Sequence, residues 1–399
     1  MLAFTATTVL TPRAAINHGF LLVDGGRIVS IGTSASDAHE TALPPGISVV
    51  DFGGLVIAPG YVDLHIHGGG GFDVMDDAPD GLATIERLLA RHGVTSYLPT
   101  TVTAPLDSTL RVLERLATAI EASETSPDPI SARQSFAGRA QPLGIHLEGP
   151  FISHARRGVH PPQDLLPPKT ETFERLWQAS RGHIRMMTIA PELDGAIDVI
   201  SAAVERGVCV SLGHSDADFR TTERAISAGA RHATHTFNAM RPLRHRDPGI
   251  AGSVLTNDRI TADLIADGVH LDPPVVKLIA QAKGREKTVL ITDAISATGM
   301  PDGRYRLGLM DVELKDGRCE HSGKLAGSVL TMDLAVCNLA KFAEWELADA
   351  VAAASHNPAS ILRANNKGVL NPGADADFLV LNTEGRVLRI YIKGEECAF

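Results

Sequence analysis

An alternation of short apolar runs with longer amphipathic stretches, carried through the middle of the chain, restricts its fold more than any other feature. The series opens at Tyr61-Val62-Asp63-Leu64-His65-Ile66-His67-Gly68. Val62, Leu64 and Ile66 alternate there with Asp63, His65 and His67, the two-residue period of a strand. Further strand-like runs follow at Thr95–Pro99, Leu143–Leu147, Ile184–Ile189, Val208–Leu212, His232–Phe237, Ile260–Ile265 and Thr288–Thr292. Helical stretches at Gly81–His92, Leu106–Ala122, Ile197–Arg206, Phe219–Ala228 and Pro274–Ala282 separate most of them. Eight strands over about 300 residues have the size and alternation of an α/β protein built as a (β/α)8 TIM-like barrel. A doubly wound open sheet is the competing fold, but no Gly-x-Gly-x-x-Gly follows the first strand.

The two ends of the chain read differently. Phe20–Val23, the turn Asp24-Gly25-Gly26 and Arg27–Ile31 form a hairpin signature, and Asp377–Leu381, Asn382–Gly385 and Arg386–Ile392 repeat it. Isolated hairpins are marginal in water. The two are therefore expected to pair into a small β-sandwich domain of residues 1–57 and 364–399, beside a barrel of residues 58–363. Ser123–Gln141, rich in Ser, Pro and Ala, reads as a surface loop or insertion without function.

Composition narrows the partners. With 37 basic against 47 acidic residues the net charge is −10, which argues against nucleic acid. Cys209, Cys319, Cys337 and Cys397 lie far apart without a Cys-x-x-Cys, so neither a disulfide framework nor a zinc ribbon is indicated. No apolar run reaches membrane-spanning length, and no basic segment followed by an apolar one opens the chain. A reducing cytoplasm is the expected location.

Active sites of such barrels gather at the C-terminal ends of the strands. His65 and His67 project from one face at the end of strand one, and Glu148 closes strand three. His214 closes strand five, His235 lies on strand six, His270 follows strand seven and Asp293 closes strand eight. One such residue would usually be structural; six strands of eight ending this way point to a metal centre. Imidazole and carboxylate without thiolate suit a divalent ion, zinc first and iron second. A metal held by Glu148, His214 and His235 would lower the pKa of a bound water. A second ion would add His65 and His67 and share Glu148, and one or two ions per chain both fit. Asp293 would act on that water as general base and afterwards as general acid.

These motifs resemble the amidohydrolase superfamily of metal hydrolases. Strand four, Ile184 to Glu192, lacks the lysine that many members carbamylate, which sets aside the dihydroorotase, hydantoinase and urease-like branches. Leu147-Glu148-Gly149-Pro150-Phe151, Gly213-His214-Ser215, Thr234 to Met240, Ile265 to His270 and Leu325-Ala326-Gly327-Ser328 are similar to the N-acetylglucosamine-6-phosphate deacetylases. The resemblance implies deacetylation of a small amino-sugar phosphate. It matches His160 to the group that polarises the acetyl carbonyl. It gives the phosphate to the Asn238 and Ala239 amides, Arg246 and His270. In that family the counterpart of Arg246 reaches into a neighbouring subunit, which implies a homodimer. His92, His146, His183 and His232 are expected to be structural. Two other readings stand beside this one: an N-acyl amino acid deacylase, which would need a carboxylate-binding arginine, and a catalytically dead barrel, which would have lost ligands.

Overall fold

The computed structural model describes residues 1–12, 14–33, 43, 46–124 and 138–398. At its centre lie Tyr61–Ile66, Val94–Thr101, Ile145–Glu148, Ile184–Ile189, Cys209–Leu212, His232–Ala233, Thr261–Leu264 and Thr288–Leu290. Each of these eight strands pairs in parallel with the next. A parallel bridge from Ile66 to Ala294, just beyond the last strand, closes the ring. The strands carry so few exposed positions because helices cover the barrel outside while side chains fill it inside. Strand two, for instance, is buried along its whole length.

Helices form where the sequence has apolar residues at three- and four-residue spacing. Ala196–Glu205 buries Ala196, Val199, Ile200 and Ala203, one stripe facing the barrel. Phe219–Ser227 is started by Asp218, whose carboxylate accepts the Thr221 N–H at 2.7 Å. Gly81–Arg91, Leu106–Glu124 and Pro273–Lys287 complete the expected five. Thr170–Ala179, Gly249–Thr256, Met332–Ala343, Leu347–Ala354 and His356–Ile361 are helices that the sequence reading did not single out. Strand six is shorter than expected: the run to Phe237 leaves strand geometry after Ala233.

The termini build one sheet of eight strands, in which Phe378–Leu381 lies antiparallel to Val56–Pro59 with Val380 opposite Ile57. Gly25 and Gly26, at φ 56° and 81°, supply the first hairpin's turn. The sheet folds back on itself into a sandwich. The Phe4 ring is 4.8 Å from Phe378 and 5.1 Å from Tyr391, although two strands separate Phe4 from Tyr391 in hydrogen-bonded order. Lys367, buried beyond the last barrel helix, binds this region together through Asp375 and Asp377 at 2.8 and 2.7 Å.

A third element was not anticipated. Gly303–Leu307, Met310–Lys315, Arg318–His321 and Lys324–Leu325 form an antiparallel meander after strand eight. Leu307, Met310, Val312 and Leu314 pack with Val102 and Ile295 in a small core of their own at the barrel mouth. Most of the Ser123–Gln141 loop, residues 125–137, lies outside the described residues. Among the described residues no helix is long and apolar enough to cross a membrane.

Candidate active site

Glu148 is the centre of the site, and its two oxygens face different partners. Oε2 lies 3.4 Å from His65 Nε2 and 3.2 Å from His67 Nε2, which are themselves 3.5 and 3.3 Å from Asp293 Oδ1. Oε1 lies 3.3 Å from His214 Nε2 and 3.2 Å from His235 Nε2. All of these side chains are buried at the mouth of the barrel. His65 reaches the site from within strand one and His67 from the residue just past its end, two positions on, as the two-residue period requires. His214, His235 and Asp293 reach it from just past their strands, at φ 47°, 31° and 51°.

For three of the four rings the far side decides what the near side can do, while His65 Nδ1 is buried without a partner. His67 Nδ1 lies 3.1 Å from Thr100 O, His214 Nδ1 3.0 Å from Arg156 O, and His235 Nδ1 3.2 Å from Asn238 O. A carbonyl can only accept, so each Nδ1 carries the hydrogen and each Nε2 offers a lone pair. The Nε2 atoms of His65 and His67 are nonetheless 3.1 Å apart, and those of His214 and His235 3.0 Å. Nitrogens that close need a cation or a shared proton between them, and 3 Å is the edge length of a metal coordination shell with bonds of about 2.0–2.1 Å. The donor set therefore fits a divalent metal.

His160 is built the other way round. The Thr103 N–H donates to its Nδ1 at 3.3 Å, and Thr103 Oγ1 lies 2.8 Å from the same nitrogen. Its hydrogen therefore sits on Nε2, which points into the site 3.6 Å from Glu148 Oε2. Glu148, His160 and His214 lie close enough to share an ion, but this hydrogen bonding makes His160 a donor and not a ligand.

Burial would raise the Glu148 pKa, but His65 and the rings of His160, His214 and His235 against its oxygens outweigh it and hold it well below the usual carboxylate range. Burial likewise opposes ionisation of Asp293, and His65 and His67 overcome it to bring its pKa down to about 2. Burial pushes His214 down to about 4, which keeps its ring neutral. Against burial, bonds to Asp293 and Glu148 raise His67 to about 10, and Glu148 raises His235 to about 9. A field that favours a proton there would equally favour a metal cation in its place.

Several supporting residues escaped the sequence reading. Asp63 accepts the His65 N–H at 3.2 Å and the Thr292 hydroxyl at 2.5 Å. Asp263 accepts the His235 N–H on one oxygen and His232 Nε2 at 2.8 Å on the other. His146 is bonded to Leu64 O at 3.0 Å and lies 2.8 Å from Thr188 Oγ1, which fixes it beneath the His65 ring. His146 and His232 are thus the buried framework of the site. Strands two and four, which end in no titratable site group, also contribute: Thr103, after strand two, orients His160, and Glu192, after strand four, takes Ser215 Oγ at 2.7 Å and Asp216 N at 2.6 Å beside His214. Thr100-Thr101-Val102-Thr103 was the visible signal for the first; an acid three residues past strand four was the signal for the second.

A cavity of about 200 Å³ opens above these groups. Asn238, Ala239 and His270 line it, as do Val159, Leu307 and Leu325. His270 Nδ1 is 2.7 Å from Asp267 Oδ2. The Asn238 N–H is occupied by His235 O at 2.8 Å, so of the two backbone amides expected to be free, Ala239 alone has no bond among the described residues. The Asn238 side-chain nitrogen is buried without a partner. Arg246 is exposed and does not line the cavity, while its neighbour Arg241 pairs with Asp247 at 2.8 Å.

Comparison with known proteins gives a consistent result. The sequence model of the amidohydrolase family matches residues 56–397. An N-acetylglucosamine-6-phosphate deacetylase of Bos taurus is 39% identical over 410 residues, covering 99% of this chain and 95% of its own. An N-acetylgalactosamine-6-phosphate deacetylase of Escherichia coli O157:H7 is 38% identical, covering 95% and 98%. Among solved structures, a mutant N-acetyl-D-glucosamine-6-phosphate deacetylase of Mycobacterium smegmatis in complex with N-acetyl-D-glucosamine-6-phosphate aligns with a TM-score of 0.89 at 35% identity, over 100% of this chain and 99% of that one.

Proposed function

The chain belongs to the N-acetylglucosamine-6-phosphate deacetylases of the amidohydrolase family, and on that premise we propose that it hydrolyses N-acetyl-D-glucosamine 6-phosphate to D-glucosamine 6-phosphate and acetate. The observation that carries the mechanism is the opposite tautomer of His160 within a ring of Nε2 lone pairs. Glu148, His214 and His235 would hold one divalent metal, and His65 and His67 a second that shares Glu148. Bound there, the metal supplies Lewis acidity, which makes water a nucleophile near neutral pH and stabilises charge on an acyl oxygen.

The chain's own groups supply the rest. His160 donates its Nε2–H to the acetyl oxygen and strengthens that bond as negative charge develops. Asp293, ionised by its surroundings, accepts a proton from the attacking water. The water's hydroxyl bonds to the acyl carbon, the C–N bond breaks, and Asp293 returns the proton to the departing nitrogen. Ala239 N–H, the unpartnered Asn238 side-chain amide and His270 suit the phosphate end. Arg246 is assigned there from a second copy of the chain, because its own cavity does not include it; the protein is accordingly proposed as a homodimer. Zinc is the ion proposed first and iron second, since no thiolate joins the donor set. A cytoplasmic location agrees with four free cysteines.

The test is a panel of phosphorylated and unphosphorylated N-acetyl sugars and N-acetyl amino acids assayed for acetate release, with metal content measured in parallel. The sugar 6-phosphate is expected to be turned over best. A preference for acetyl amino acids would overturn the reading.

A further inference from the structure

We propose that the meander of residues 303–325 limits the length of the acyl chain removed, with Leu307 and Leu325 as specificity-determining side chains. This rests on the deacetylase reading above. The cavity has two unlike sides: Asn238, Ala239 and His270 offer polar donors, whereas Val159, Leu307 and Leu325 are apolar. The carbonyl carbon of a bound amide carries two substituents, the nitrogen leading to the sugar and the acyl chain. A sugar phosphate is a polyol with a dianion and needs the polar side, which directs the acyl chain at the leucines.

The apolar side also stands next to the reacting groups. Val159 immediately precedes His160. Ser328, which follows the Leu325 turn, donates its N–H to Asp293 O at 2.8 Å. A methyl added to Gly327 would meet Asp293 O at 2.9 Å and Ile295 Cγ2 at 2.3 Å, so this turn is pressed against strand eight. Leu307 cannot easily retreat. It is 3% exposed in a core with Val102, Ile295 and Ala326. Behind it the Gly308 N–H is held by Asp73 Oδ2 at 2.9 Å, which fastens the meander to the loop after strand one. A wall backed in this way leaves room for a short acyl group and resists a longer one.

The experiment compares kcat/KM for N-acetyl-, N-propionyl- and N-butyryl-glucosamine 6-phosphate in the wild type, Leu307→Ala and Leu325→Ala. A misfitted methylene in such a pocket changes kcat/KM by about 10–200-fold, so the wild type should lose roughly tenfold or more from acetyl to butyryl. In Leu307→Ala the butyryl-to-acetyl ratio should rise by about tenfold or more. Leu325 is only partly buried; Leu325→Ala therefore keeps the test decisive if Leu307→Ala does not accumulate, and should move the ratio in the same direction. An unchanged ratio in the folded variants overturns the proposal. Absence of acetate release from the N-acetyl substrate in the wild type would instead overturn the deacetylase reading on which it rests.

Discussion

Substituting His160 with Gln separates the two roles its position allows. By proximity alone His160 belongs to an ion-binding group with Glu148 and His214. By hydrogen bonding it is an Nε2–H donor, because a backbone N–H enters its other nitrogen. A donor already aimed at a developing oxyanion is worth about 10²–10³ in kcat, or about 2.7–4 kcal/mol. The structure places the effect towards the upper end of that range: the ring is 4% exposed and is held by both the N–H and the hydroxyl side of Thr103. His160→Gln should therefore retain its metal and lose turnover. His214→Gln, which removes a lone pair, should lose both. Elemental analysis per chain alongside steady-state kinetics on the sugar phosphate measures the difference. Thr103→Val deletes the hydroxyl but keeps the N–H and should cost less than His160→Gln. If His160→Gln loses metal in parallel with His214→Gln, the donor assignment is wrong.

Four further outcomes are expected. The purified protein should carry at least one divalent transition metal per chain, and Glu148→Gln should abolish both metal and activity; full activity after metal stripping would refute the mechanism. Asp293→Asn should keep the fold and most of the metal but lose about 10²–10⁴-fold in kcat, and near-normal turnover would place the proton transfer elsewhere. Arg246→Ala should lower kcat/KM for the 6-phosphate roughly ten- to a few hundred-fold, since charge-assisted bonds contribute about 1.5–3 kcal/mol each, while hydrolysis of free N-acetylglucosamine stays the same; equal losses on both would refute a phosphate role. Lys367→Met leaves Asp375 and Asp377 without their shared cation and should destabilise the protein by about 3–5 kcal/mol in urea unfolding. Burial opposes the Lys367 charge, but Asp377 and Asp375 outweigh it and raise its pKa above 10.5. Its stabilisation is thus fully present below 10.5 and lost as pH rises through the raised value; a wild-type advantage over Lys367→Met that shrinks between about pH 7 and 9 would contradict this.

The barrel was legible because its strands are buried on both faces and its helices on one, so apolar periodicity tracks the fold directly. Ligand-type residues at the ends of strands one, three, five, six and eight were legible for a related reason: a strand's direction delivers them to one end of the barrel. The meander was missed although Met310 to Lys315 alternates buried and exposed residues, because eight strands already satisfied the pattern sought. Thr103, Glu192 and Asp263 act on neighbours 57, 23 and 28 residues away. Their partners meet only when the ring closes, so no local spacing records them. The resemblance alone supplied a role for His160, and its tautomer was similarly out of reach, since it is set by the Thr103 N–H across two loops.

The positive φ angles at His214, His235 and Asp293 explain how such a site stays assembled. Each strained residue costs about 1–3 kcal/mol, and glycine would relieve it, but glycine brings no ligand. The surroundings offset the strain with bonds from separate segments. Asp293 N donates to His65 O at 2.9 Å while its carbonyl accepts from Ser328 at 2.8 Å. His235 N is held by Asp263, and the His214 carbonyl accepts from Ser153 at 2.9 Å. Strand one needs no such turn, because His65 and His67 already face the axis. On strands five, six and eight a left-handed residue just beyond the ladder turns the side chain toward the site around Glu148. Strain and its supports together hold the nitrogens near 3 Å from one another and from Glu148, a geometry fixed by the fold before any substrate arrives, which is where most of the catalytic advantage of such a site originates.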